Sequence, residues 1–534
     1  MMYAYASRLS LVSIRTSLLA VVVFMAVHGV PGAEPRIVRP FESGGGFAPA
    51  NRIDALVLAS LRERGFEPAN LCSDEVFFRR VYLDVIGTLP KPQEVLAFLK
   101  DTRPGKRAAL IDALLEREEF ADYWSLKWCD LLRVKAEFPI NLWPNAVQAY
   151  HRWIRDSIRR NKSYDQFARE LLTSSGSNFR VPPVNFYRAI QGREPSARAA
   201  AVALTLMGTR LENWPEARRT GMAAFFSRVA YKQTSEWKEE IVCLDPASST
   251  SLKAVFPDGA TVRIAPDEDP RRVFADWLVA PNNPWFARNI VNRIWSWLLG
   301  RGIIHEPDDV RPDNPAVNPK LLSHLEKELV GAKYDLKHIY RLILNSGAYQ
   351  QSSIPRSAHP GAEALFAQYP VRQLDAEVLI DALNWLFGAG ESYTSAIPEP
   401  FSFIPERQRS IALADGSISS PFLEMFGRPA RDTGLESERN DNPTDAQRLH
   451  LLNSTQVQQM IERSGRLRQL VQANRGNHRY VIQSIYLTIL SRYPTEAELA
   501  AVEDYLKTGG GNLQGAAGDL AWALINTKEF LYRH

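Results

Sequence analysis

Thiols and imidazoles are scarce in this chain, which holds three cysteines and nine histidines among 534 residues. Cys72, Cys129 and Cys243 allow at most one intramolecular disulfide and leave one thiol over, so the chain is not a disulfide scaffold. Their wide spacing also excludes a zinc ribbon or a Cys-x-x-Cys redox site. The histidines form no His-Glu-x-x-His or His-x-His pair, so a zinc hydrolase would have to gather ligands from distant segments. No Gly-x-Ser-x-Gly elbow, phosphate-binding Gly-Lys-Ser/Thr loop or dinucleotide Gly-x-Gly-x-x-Gly turn occurs either. Charge of one sign is equally thin: 64 Lys and Arg against 60 Asp and Glu leave a formal +4, and loss of Arg8 and Arg15 with a leader would leave +2. A nucleic-acid binder concentrates basic residues on one face, so no nucleic-acid partner is expected.

Long apolar runs are missing with one exception. Ser17 to Val27 is a short apolar core preceded by Arg8 and Arg15 and followed by small residues from Gly29 to Ala33, which together read as a secretory signal over residues 1–33. The run falls well short of the roughly 20 residues a membrane span needs. Export to the periplasm or cell surface is expected, with no membrane span after signal removal; an uncleaved N-terminal anchor is the plainer alternative.

What is present is a long series of helical patterns. About 500 residues remain after the leader, and single cores rarely grow beyond roughly 250 to 300, so the length is enough for two or more cores. Residues 34–50, with three consecutive glycines, read as a flexible tether. Asn51 precedes a face of Ile53, Leu56, Val57 and Leu61. Ser73, Asn318 and Asp335 are placed to cap helices, and Thr444 with Gln447 and Thr495 with Glu498 form capping-box pairs. The helical repeat lapses between Val229 and Ile264. There Lys253-Ala-Val-Phe, Pro257-Asp-Gly and Ala260-Thr-Val-Arg-Ile predict a hairpin. The expected fold is mainly α, a multi-helical two-domain protein with a small β-hairpin insert between the halves. The domains are set at 51–245 and 267–534, with a hairpin linker at 246–266. The Ser- and Pro-rich stretch from Ala389 to Phe422 reads as a long loop.

Extended motifs carry a family resemblance. FFRRVYLDVIGTLPKPQEVLAFL and FADYWSLKWCDLLRV in the first half, the Asp269 to Asn318 stretch, and Phe426 to Arg439 followed by Asp445-Ala-Gln-Arg-Leu-His-Leu-Leu-Asn453 resemble a secreted two-domain family first described from planctomycetes. In it a cytochrome-c-associated domain precedes a planctomycete-specific domain, both of unknown function. Many members carry a Cys-x-x-Cys-His stretch after a segment like Leu206-Met-Gly-Thr-Arg-Leu-Glu. Here Asn213-Trp-Pro-Glu-Ala-Arg-Arg-Thr-Gly221 follows instead, with neither thiol nor histidine. Covalent c-type haem needs both. No covalent haem is therefore expected and no cofactor is predicted, calcium alone being left open; a shortened connecting loop is the structural reading of that segment.

Three polar groupings are candidate sites. Asp308, Asp309 and Asp313 can supply hard oxygen ligands to calcium, although the EF-hand spacing is lacking; pairing with Arg293, Arg301 or Arg311 is the plainer reading. Gln447, His450 and Ser454 lie near one helix face, over which a loop can bring Glu436, Glu438 and Arg439. Glu with His is an acid and base pair, and Arg439 can hold an anionic group, against the plainer reading of an interdomain histidine and ion pairs. Trp277, Trp285, Trp295 and Trp297, with Arg293, can form a sugar-stacking platform, although Ile290, Ile294 and Trp297 also repeat as a core face. Catalytic candidates are thus Glu436, Glu438, Arg439 and His450, and ligand-binding candidates Gln447, Trp295 and Arg293. The leading expectation is an exported binding or assembly protein with an extracytoplasmic protein or polysaccharide partner. The alternative is an extracytoplasmic hydrolase acting on polysaccharide.

Overall fold

The computed structural model describes residues 37–44, 46–440, 442–474, 476–508 and 512–534. The secretory signal expected over residues 1–33 lies outside the described residues. Among those described, no helix is long and apolar enough to cross a membrane.

Helices dominate, and their ends follow local chemistry. The N-terminal half runs through α1 (Arg52–Glu63), α2 (Asp74–Ile86), α3 (Pro92–Lys100), α4 (Lys106–Leu115), α5 (Glu118–Leu131), α6 (Pro144–Arg159) and α7 (Tyr164–Thr173). Asn51 accepts from the Asp54 amide to open α1, and Ser73 accepts from the Val76 amide to open α2. Caps of this kind stabilise a helix by about 1 kcal/mol each. Gly87 ends α2 in the left-handed region, at φ 57°, and a Cβ there would meet the Tyr123 ring at 2.7 Å. The turn thus fixes how closely α5 approaches α2.

The β content exceeds the expected hairpin. β1 (Gly176–Ser177), β2 (Val229–Gln233) and β3 (Glu240–Leu244) form an antiparallel sheet in the order β1-β3-β2. The hairpin is β4 (Leu252–Val255) with β5 (Thr261–Ile264), Leu252 opposite Ile264. Where a shortened loop was expected after Glu212, a single turn at Leu211–Asn213 leads past Pro215 into α8 (Glu216–Ala223), because that proline ends one element and allows the next to begin.

The second half contains α9 (Pro270–Leu278), α10 (Phe286–Leu299), α11 (Pro319–Gly331), α12 (Leu336–Leu344) and α13 (Ala376–Phe387). After the Ser- and Pro-rich stretch come α14 (Asp445–Asn453), α15 (Thr455–Glu462), α16 (Gly465–Ala473), α17 (His478–Ile489), α18 (Glu496–Thr508) and α19 (Leu513–Ile525). The last residues return as β7 (Tyr532–Arg533), antiparallel to β6 (Arg372–Gln373).

One contiguous apolar cluster runs through both halves, from Ile53 to Phe530. Trp124 of α5, for instance, contacts Trp297 of α10 and Tyr340 of α12. Ion pairs and hydrogen bonds cross in the same way. Arg80 of α2 donates to the Tyr349 and Gln351 carbonyls, and Arg79 donates to those of Ile489 and Phe530. The stretch read as a flexible tether is anchored along its described part. The Phe41 carbonyl accepts from the Ser73 amide, the buried Glu42 carboxylate takes the Val38 amide and the Asn70 side chain, and Phe47 lies on Gly347. Its aromatic rings and one buried acid find partners, and this outweighs the freedom conferred by its glycines.

Candidate functional site

Polar groups converge where α5, the start of α13, the loop at 427–439 and the last strand meet. α5 presents Tyr123, Lys127 and Asp130 at spacings of four and three, hence on one face. Asp375, which precedes α13, accepts from Tyr123 Oη at 2.7 Å, Lys127 Nζ at 3.0 Å and Arg533 Nη2 at 3.0 Å. Arg439 reaches Glu377 at 2.8 Å and Asp130 at 2.7 Å, and Arg431 meets Asp130 at 2.8 Å. Gly434 lets this loop lie against α5, since a Cβ there would meet the Leu131 carbonyl at 2.7 Å. On the far side Arg533 and Arg372 both meet Asp84, whose other oxygen accepts from Tyr349 and Tyr369. Arg428 completes the set, 3.5 Å from Glu377.

Electrostatics here are lopsided. The carboxylates Asp84, Asp130, Asp375 and Glu377 face the cations Lys127, Arg372, Arg428, Arg431, Arg439 and Arg533, so positive charge is in excess. Burial would raise the Asp375 carboxyl, but Lys127, Arg533 and Arg439 together hold it well below the usual carboxylate range. Burial, aided by Arg431, pushes the Arg428 guanidinium down to about 10. The neighbouring Cys129 thiol is pushed up to about 12 by burial, which makes it an inert packing group; all three cysteines are free.

The expected catalytic group is dispersed across this region. Arg439 sits in the buried network just described, its side chain 6% exposed. Glu438 caps its own loop, accepting from the Asp432 amide at 2.9 Å and from Thr433. Glu436 belongs to a second cluster built on α10, where Arg293 and Trp297 stand four residues apart. Its carboxylate accepts from Trp297 Nε1 at 2.8 Å and from Arg293 Nη1 at 3.4 Å, while its amide donates to Asp308 at 2.6 Å. Burial raises the Glu436 carboxyl, Arg293 opposes the shift and Asp308 adds to it.

His450 contacts none of these three. It lies against the rings of Phe422 and Phe426 with Nε2 unpartnered, and burial lowers its basicity. Gln447 is used in the Thr444 capping box and donates to the Met425 carbonyl. The expected face of Gln447, His450 and Ser454 is therefore divided between a cap, an aromatic contact and the cap of α15.

Asp308 turns inward to Arg293 at 2.5 Å, whereas Asp309 and Asp313 turn outward to Arg311. One inward and two outward carboxylates do not form a single cation shell, and among the described residues no three His, Cys, Asp or Glu side chains gather as a metal site. The four tryptophans do not form one platform either. Trp295 is buried against Phe366 and Trp297 is buried on Trp124, because α10 is buried on nearly all sides and these two positions point into different parts of the core. Only Trp277 and Trp285 remain half-buried, in mutual contact. Sequence reasoning missed Tyr123, Lys127, Asp130 and Asp375. The available signal was the repeat of Tyr123, Lys127 and Asp130 at helical spacing on one face of α5.

A mainly α chain whose two halves share a core and a buried ionic junction is the class defined by this geometry. Residues 52–216 match the family model PSCyt2, described as a protein of unknown function (DUF1549), and residues 270–506 match PSD1, described as a protein of unknown function (DUF1553). The chain belongs to the planctomycete-type family that joins these two domains in this order. No curated protein and no solved structure matches it.

Proposed function

We propose that this is an exported protein of the periplasm or cell surface that works by binding or assembly, related to haem-bearing relatives but without their haem. The observation that supports binding over turnover is the commitment of the candidate carboxylates and anion-holding arginine, with His450 set apart from all three. Arg439 has three carboxylates around it, Glu438 holds its own loop, and Glu436 is held by Trp297 and Arg293. A general acid or base has to reach the proton it transfers, and these groups would have to leave strong, partly desolvated partners to do so. The leader-like sequence of residues 1–33 supports export. Absence of haem rests on residues 213–221, which offer no thiol and no imidazole.

The test is to screen the purified protein against polysaccharide fragments by thermal shift, with chromatography of the same mixtures. A ligand of the native state raises the melting temperature. A shift without products is expected. Release of products that Glu436→Gln abolishes without altering the fold would replace this reading by the hydrolase alternative. A Soret band that survives denaturation would contradict the haem statement, and recovery of the protein only from the cytoplasm would contradict export.

A further inference from the structure

A cleft of about 560 Å³ opens where α3 meets the C-terminal helices. That volume is typical of small-ligand sites, roughly 300 to 1,000 Å³. Lys91 and Gln93 line one wall from the N-terminal half. Trp385 near the end of α13, Arg466 of α16, Tyr480 and Gln483 of α17, and Tyr493 just beyond line the others. The cleft therefore exists only because the two halves are joined, and junctions between domains are a preferred place for ligands.

Its chemistry is selective. Tyr480 and Tyr493 are 49% and 45% exposed, so their rings are open to a ligand. With Trp385 they offer flat apolar faces that suit the C–H face of a pyranose ring. The Gln93 and Gln483 amides line the same space and make no hydrogen bond to a described residue, so they are free for hydroxyl groups. Lys91 and Arg466 stand at the cleft, and among the described residues no Asp or Glu lines it. Arg466 is held in place, its guanidinium 5.4 Å from the centre of the Trp385 ring and one nitrogen donating to the Trp385 carbonyl. A wholly apolar ligand would leave two amides and two cations desolvated without partners. A nucleic acid would call for a longer basic track than two side chains.

We infer that this cleft binds an oligosaccharide bearing carboxylate groups, its pyranose rings on Tyr480, Tyr493 and Trp385, its hydroxyls on Gln93 and Gln483, and its acidic groups on Lys91 and Arg466. The assignment rests on the binding reading above and supplies its ligand class. Calorimetric titration of the full chain with tetragalacturonate and with its neutral methyl ester tests it. The acid is expected to bind at least about tenfold tighter than the ester, and the double variant Tyr480→Ala/Tyr493→Ala to lose at least about tenfold in affinity with an unchanged melting temperature. Lys91→Gln/Arg466→Gln is expected to erase the difference between acid and ester. Equal binding of acid and ester, no heat with either, or full affinity in the tyrosine double variant overturns the assignment. Chromatography of the titrated mixtures separates the two readings. Cleavage lost in the tyrosine variant removes the binding reading and leaves the cleft, whereas binding untouched by the variants removes the cleft and leaves the binding reading.

Discussion

Two polar regions lie at the junction of the halves, and both are built from arginine and tyrosine. In the buried junction Arg439 is ringed by Glu377, Asp130 and Asp375, and the Tyr123 hydroxyl is fixed on Asp375. In the open cleft Arg466 meets one carbonyl and one ring, and the hydroxyls of Tyr480 and Tyr493 have no described partner. Arginine and tyrosine occur in both places; their engagement differs. A charged group that already has buried partners gives little to a ligand, because any new contact must first break a desolvated old one. The junction therefore holds the halves together, and the cleft that results is free to bind.

That contrast breaks first at Asp375. Its removal would leave Lys127, Arg533 and Arg439 with fewer compensating charges in a region where cations already exceed carboxylates. Asp375→Ala or Arg439→Ala is expected to cost about 3 to 5 kcal/mol, the usual penalty for stranding one partner of a buried pair. Urea midpoints, with the dependence on denaturant checked for unchanged slope, provide the measurement. A loss below about 1 kcal/mol would mean that the junction is not what couples the halves.

Acid should reveal the same region without mutation. Burial, then Arg431, Arg155 and Arg152, pushes the His151 imidazole down to about 3, and burial pushes that of His534 down to about 4. Both folded values lie below the ordinary 6.5, so the unfolded chain binds more protons and stability present above pH 6.5 is lost as the pH falls toward 4. Asp375 then adds a second loss below its ordinary value of 3.8, because its folded carboxyl is held well below that value. Urea midpoints measured between pH 7 and pH 4 should fall steadily, and His151→Gln should flatten that fall. An unchanged slope in the variant would place the acid sensitivity elsewhere.

The sequence disclosed this fold where the determinants were local. Ser73, Asn318, Asp335 and the Thr444 to Gln447 box cap the helices they were expected to cap, since a cap involves residues only two or three apart. The Pro257-Asp-Gly turn likewise sets the register of β4 on β5. The junction was illegible for the opposite reason. Tyr123 and Asp375 are 252 residues apart, Asp130 and Arg439 are 309 apart, and Tyr123 and Arg533 are 410 apart. Nothing in helical spacing says which distant charge completes Asp130. Glu436, Glu438 and Arg439 were adjacent in sequence and so were read as one site, yet the turn at Glu436–Glu438 sends each to a different partner. Trp295 shows the same limit: the repeat of Ile290, Ile294 and Trp297 marks a core face that does not include it, yet packing buries it against Phe366.

Glu436 tests the comparison more finely, since it lies between the two extremes: half-buried, with two partners. Glu436→Gln keeps an acceptor for Trp297 but replaces the carboxyl facing Arg293, mostly protonated at pH 4.5, by an amide, and a cost of about 1 kcal/mol is expected near that pH. Its folded carboxyl is raised above the ordinary 4.5, so in the parent protein the stability it contributes while protonated is lost as pH rises through that folded value. The glutamine has no proton to lose. The variant should therefore compare more favourably with the parent at pH 7 than at pH 4.5. The reverse order in paired urea titrations would mean that Arg293, rather than burial, governs this carboxyl.

The smallest effect belongs to the cleft and is the most diagnostic. Tyr480 and Tyr493 carry exposed rings and hydroxyls that no described residue engages, so Tyr480→Ala and Tyr493→Ala remove little that the folded state gains over the unfolded one. Each is expected to change stability by less than about 0.5 kcal/mol, the range of surface substitutions without a special contact. A thermal melt of each variant provides the measurement. If either costs as much as Asp375→Ala, the ring has a structural role, engagement no longer separates the two regions, and the cleft becomes a second part of the junction.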